Sequence, residues 1–202
     1  MLFKNKVLLS IAAGLVLTFI INTAGFAKSC EEVTSKVLRL HIVAASDSDE
    51  DQALKLKVRD DLLKSGADVF NGCVNIDNAL DIITPKIPEL EKLALDVIKK
   101  NGFDYDVNIT LKNEYFSTRV YDDFTMPPGE YKALRVVIGE GKGHNWWCVM
   151  FPAMCLPSAN ANENAQSILG EKLYKFIGKK PQFEPRFKIV EIYESLKYKM
   201  IG

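Results

Sequence analysis

The chain has 202 residues, 48% of them apolar, and its 26 Lys and Arg balance its 26 Asp and Glu. The first 27 residues carry only Lys4 and Lys6 as charges, so residues 28–202 hold 24 basic against 26 acidic groups, a net charge of −2. That excludes the concentrated positive field needed to bind nucleic acid, and the scatter of the basic residues excludes a polybasic membrane patch.

Residues 1–27 read as a targeting segment. Lys4 and Lys6 precede an uncharged apolar run, Val7 to Ile21, and the small residues Ala24, Gly25 and Ala27 follow. This is the order of a signal peptide, and cleavage after Ala27 would place Gly25 and Ala27 where small side chains are required. The apolar run is shorter than the ~20 residues of a comfortable membrane span. An uncleaved N-terminal anchor is the alternative. Lys28 and Ser29 ahead of Cys30 do not make a lipoprotein-type cleavage sequence. The remaining stretch, 28–202, suits one exported domain with a sizeable core.

Within it, Val37 to Ala45 is rich in branched residues and predicts a buried strand. Ser48 with Asp51 three positions on resembles a capping box, and Leu54, Val58 and Leu62 then predict a helix to about Phe70. Asn75 can cap a second helix with Leu80 and Ile83 inward, and Pro85 and Pro88 interrupt it and start a third. Leu90, Leu93, Ala94, Val97 and Ile98 keep the helical repeat, and Gly102 stops it. From Tyr105 the period changes to two: Tyr105, Val107, Ile109 and Leu111 alternate with polar residues, as in a strand with one wet face.

Phe116 to Tyr121 is expected to pair back on that strand. Pro127-Pro128-Gly129 predicts a turn, and Tyr131 to Ile138 and then Asn145 to Phe151 predict strands joined by a glycine-rich hairpin tip. After a polar connector, Ser158 to Asn164, one helix carries Ile168, Leu169, Leu173, Phe176 and Ile177 and ends at Gly178. Lys179 to Pro185 reads as a linker. The last helix presents Ile189, Tyr193, Leu196 and Met200 as one stripe, to pack on the sheet or to lie on a membrane surface. The order of elements predicts an α+β domain, its largely antiparallel sheet of about four to five strands packed with several helices.

Most chemical readings find little support. Gly139-Glu140-Gly141-Lys142-Gly143 joins strand to strand, without the helix N-terminus or the G-x-x-x-x-G-K-[ST] spacing of a phosphate loop. Cys148 with His41 is the one arrangement that would suit a cysteine nucleophile, as in an extracytoplasmic peptidase or amidase acting on the cell wall. Cys148, Cys155, His41 and His144 lack zinc-site spacing, so no metal or cofactor is called for. The acids of Asp47 to Asp51 are explained as a helix start, and Asp122-Asp123 as a solvated turn. Cys148 and Cys155 are close enough for a disulfide, Cys30 with Cys73 would complete an even set, and free thiols are the alternative.

The surface is more informative. Trp146 and Trp147 are adjacent on a strand and so face opposite ways, Trp147 with Asn145, Val149 and Phe151, Trp146 with Cys148 and Met150. Pro152 to Pro157 is apolar although it reads as a loop. Such material beside tryptophan suits a partner-binding centre or a plug at the end of the sheet.

Arg39 to Ser48 (RLHIVAASDS), Asp51 to Asp60 (DQALKLKVRD) and Pro128 to Pro152 (PGEYKALRVVIGEGKGHNWWCVMFP) resemble the stage II sporulation protein R family of endospore-forming bacteria. Ser117 stands where the family pattern would carry proline, and Ala153-Met154 where it would carry Pro-Leu. The resemblance implies a signal and not a catalyst, with no cofactor. Such proteins are made in the forespore and exported into the space between its membrane and that of the mother cell. There they activate a sporulation-specific membrane aspartic protease, which processes the inactive precursor of the mother-cell sigma factor sigma-E. On that reading Trp146, Trp147, Phe151, Met154 and Leu156 form the docking centre, Arg135 and His144 orient it, and the membrane is near through the leader or the partner.

Overall fold

Strand β1 (Leu38–Val43) lies inside the sheet with every residue buried, as its run of branched and apolar residues requires. The computed structural model describes residues 2–155, 161–178 and 185–201, for 2–5, 161–162, 185–186 and 201 the backbone alone. β2 (Val107–Phe116), β5 (Gly129–Ile138) and β6 (Asn145–Phe151) complete a four-stranded sheet in the order β2-β5-β1-β6. β1 and β5 run parallel; the β2–β5 and β1–β6 pairs are antiparallel. Two short strands, β3 (Arg119–Val120) and β4 (Thr125–Met126), pair beside it. The fold is α+β, as predicted.

One face of the sheet is covered by α2 (Asp49–Val69), α3 (Ile76–Ile83) and α4 (Ile87–Lys100). The Ser48 hydroxyl accepts the Asp51 N–H at 3.2 Å, and Asn75 caps α3 in the same way at 2.9 Å. Leu54, Val58 and Leu62 of α2 meet Leu40, Ile42 and Val136 of the sheet, each leaving water for about 1.5–3 kcal/mol. The other face is only partly covered. The end of α1 (Leu2–Thr34), the β3–β4 pair, α5 (Ala161–Leu169) and α6 (Glu171–Ile177) pack on its lower half through Val33, Phe124, Leu169 and Leu173.

In the arrangement of its elements the structure departs from the sequence reading at five places. β2 does not stop for a return strand at Phe116, because β5 offers it a ten-residue ladder from Val107↔Ile138 to Phe116↔Gly129. The helix predicted after Pro157 is two, broken where Gly170 takes φ +82. The connector before it is shorter than predicted, since α5 begins at Ala161; residues 156–160 and 179–184 lie outside the described residues. The glycine loop is not a hairpin tip, since β1 lies between β5 and β6 and the loop crosses its end. It is fixed there: the Gly143 and Lys142 N–H groups donate to the Ala44 and Ala45 carbonyls at 2.9 and 3.2 Å, and Lys55 Nζ donates to the His144 carbonyl at 2.9 Å. Finally, α7 (Pro185–Ile201) buries Phe187 and Val190 against α1, leaving the predicted stripe of Ile189, Tyr193, Leu196 and Met200 in solvent.

Candidate functional site

In β1 the period of two places Arg39 and His41 on the face opposite α2 and α4. The register then aligns Thr110, Arg135, His41 and Trp147 as one cross-strand row over all four strands. His41 is buried, its ring stacked on the Trp147 indole with centroids 3.7 Å apart. His41 Nδ1 donates to Glu114 Oε2 at 3.0 Å, and its Nε2 lies 2.8 Å from Asn145 Oδ1. Glu114 also pairs with Arg135 at 3.5 Å and Lys112 at 3.9 Å. Burial alone would raise the Glu114 pKa; the His41 hydrogen bond and the Lys112 and Arg135 charges outweigh it and hold the carboxyl below its ordinary range.

A consequence is testable. A carboxyl whose folded pKa lies below its unfolded value of about 4.3 contributes stability above that value and loses it as pH falls through the folded pKa. Glu114→Gln is therefore expected to lower stability by about 2 kcal/mol at neutral pH. In urea titrations from pH 7 down to pH 3, its gap from the native chain should narrow. A gap of constant size would contradict the assignment.

Beneath this network Arg39 is wholly buried. Its Nε donates to the Cys148 carbonyl at 2.8 Å and its Nη2 to the Tyr121 hydroxyl at 2.7 Å. The guanidinium lies 4.4 Å from the Phe116 ring centre and 5.0 Å from that of Tyr131. The Tyr121 hydroxyl in turn donates to the Trp147 carbonyl at 3.1 Å, and the Val149 N–H donates to Cys155 Sγ at 3.1 Å. These contacts block the free edge of β6 at two points.

Of the predicted docking residues, Trp147 and Arg135 share this face on either side of His41, both half-exposed, with the Arg119 guanidinium 5.2 Å from the Trp147 ring centre. Trp146 is on the opposite face under Arg59, 4.4 Å away. His144 is exposed and pairs with Asp47 at 2.5 Å, at the glycine loop. Phe151 is corrected: a register shift between Leu38 and Arg39 turns it from the Trp147 face into the core beneath α2, edge-on to Phe70 at 5.4 Å. Met154 is half-buried against the lower cluster, and Leu156 lies outside the described residues.

Cys148 and Cys155 form the disulfide. Cys30 and Cys73 stay free because the first packs between α1 and α7 and the second against the helical layer over the far face. Cys148 belongs to the α2 side of the sheet and His41 to the other, so the cysteine–histidine pair is not assembled. Among the described residues no group of His, Cys, Asp and Glu can hold a metal ion. Sequence reasoning missed Arg39, Glu114, Arg119 and Tyr121. The signal for Arg39 was the alternation of charge within VLRLHIVAA; Glu114 looked like one more residue of a wet face.

What remains accessible on this face is a rim of Lys112 and Asn145 around half-exposed Trp147, Arg135 and Arg119, with Val120 exposed next to Arg119 in β3. Tryptophan and arginine held by stacking, with side-chain freedom already spent, are the residue types that carry binding energy at interfaces.

The family model described as stage II sporulation protein R matches residues 34–161, from the end of α1 to the start of α5. Stage II sporulation protein R of Bacillus subtilis (strain 168) is 35% identical over 123 residues, 61% of this chain and 55% of that protein. The chain thus spans about half the length of the curated relative it matches. No solved structure matches it. The matched region includes the whole four-stranded sheet and the Trp147 face, and the chain belongs to the stage II sporulation protein R family.

Proposed function

We propose that this sporulation protein is an exported signal and not a catalyst. Made in the forespore and carried across its membrane by the apolar N-terminal segment, it binds a sporulation-specific membrane aspartic protease and favours the active state. The protease then cleaves the inactive precursor of sigma-E. Family membership over the sheet is the observation that carries this reading. The chemistry of the face supports it: His41 is committed to Glu114, Asn145 and Trp147, and Cys148 is oxidised on the far side of the sheet.

A ligand shifts a two-state receptor only by its difference in affinity for the states. A central tryptophan contributes on the order of 2 kcal/mol, close to thirtyfold in such an equilibrium. Trp147 with Arg119 and Arg135 is the proposed contact, extended by exposed Val120 next to Arg119 and by Met154 and Leu156. Val120→Asp and Leu156→Ser are expected to slow precursor processing about tenfold or more in sporulating cells while the thermal midpoint stays within about 2 °C of the native chain's. Normal processing with both variants would count against this face.

A further inference from the structure

Helix α1 is continuous from Leu2 to Thr34, yet it has two kinds of surface. From Val7 to Ile21 its apolar side chains are exposed on all sides, Leu8, Leu15 and Ile21 each by more than 60%. A helix apolar all round belongs in a membrane or a core, and no core surrounds this one. Phe26, Cys30 and Val33, by contrast, follow the i, i+4, i+7 spacing of one helix face and are 7%, 2% and 0% exposed. Phe26 sits edge-on to Phe176 at 5.1 Å and Phe187 at 4.9 Å, and Val33 joins the cluster under the sheet. Just beyond the helix, Lys36 Nζ donates to the Leu169 carbonyl at 3.1 Å. The last turns of α1 are therefore part of the folded domain.

The bond after Ala27 falls inside this packed part. Cutting it would take Phe26 out of its aromatic cluster. The uncharged stretch from Val7 to Ala27 is 21 residues, about 31 Å of helix, against a bilayer core of about 30 Å. It ends where the domain begins, with no spacer between. Lys4 and Lys6 flank it on one side and Lys28 on the other, and the outward placement of the domain rests on the proposed export.

We infer that α1 is retained as a signal anchor, so that the domain stays seated on the outer face of the membrane it has crossed, joined to it by one uninterrupted helix. The geometry of α7 follows from this. Phe187 and Val190 pack with Phe26 and Cys30, and Glu194 and Lys197 line a cleft with Glu31 and Thr34, so α7 runs alongside α1 and away from the bilayer. Its exposed stripe does not lie flat on lipid. A tethered signal reaches only partners that approach its membrane, and it acts by contact instead of by diffusion.

The test is to express the full chain in an endospore-forming host, separate membrane and soluble fractions, and measure intact masses. The expected result is a chain beginning within residues 1–5, pelleting with membranes after carbonate washing and released by detergent. A dominant product beginning at Lys28, or elsewhere after Ile21, would overturn the inference, and so would the intact chain in the soluble fraction. The readout does not involve the protease, so it can fail or succeed independently of the proposed activation.

Discussion

Arg39→Ala is expected to lower folding stability by about 4 kcal/mol, read as a shift of the urea midpoint at unchanged slope. Arg39 has no exposed surface, and its stem fills space between Phe116, Tyr121 and Tyr131. Truncation removes that packing, the attraction of the cation to three ring faces, and the donors of the Cys148 carbonyl and the Tyr121 hydroxyl. Arg39→Met restores the volume without the donors and should recover about half of the loss. Tyr121 is the residue through which the effect reaches the proposed contact, because its hydroxyl bridges Arg39 and the Trp147 carbonyl. A change under about 1 kcal/mol for the alanine variant would mean that the buried cation contributes little beyond its own desolvation.

Gly143→Ala is the second large effect. A Cβ at this position would stand closer than 3 Å to both the Ser46 carbonyl oxygen and the Ala44 side chain, so backbone has to move. The movement breaks the Gly143 N–H bond to Ala44 and pulls on His144, whose N–H donates to Asp47 and whose carbonyl accepts from Lys55. The expected cost is about 3 kcal/mol, at the upper end of overpacking effects. Because Asn145 begins β6 and holds His41, exchange of the Gly143 and Lys142 amides should accelerate together with loss of the His41–Trp147 stack. An unchanged thermal midpoint would contradict the close approach of the loop to the end of β1.

Local signals carried much of the fold. Ser48 and Asn75 cap the helices they were expected to cap, Leu54, Val58 and Leu62 are buried together, and the change of period at Tyr105 marks β2. These features depend on neighbours a few residues away, where steric and hydrogen-bonding rules are strong. Features decided by long-range pairing were not readable. Insertion of β1 between β5 and β6 turned an apparent hairpin tip into a clamped crossover, and the bulge that removes Phe151 from the Trp147 face exists only once β6 pairs with β1. α7 carries apolar residues on two stripes, and only the position of Phe26 and Phe176 decides that Phe187 and Val190 turn inward.

The same division holds at the site. The paired tryptophans drew attention to β6, while the polar network that fixes Trp147 comes from His41 on β1, Glu114 on β2 and Arg135 on β5, residues far apart in sequence. His41 was weighed from the sequence, whereas Arg39 was passed over although it interrupts the same apolar strand. Their partners were not readable, since nothing short of the strand register brings Glu114 within 3.0 Å of His41.

The account is tested most directly by titrating the chain into membranes that hold the candidate protease and the sigma-E precursor. The predicted result is that the chain alone cleaves nothing, that the protease stays slow without it, and that cleavage saturates near one chain per protease. Full activation by a small fraction of that amount, or cleavage of the precursor without the protease, would identify a catalyst and contradict a protein that acts by being bound.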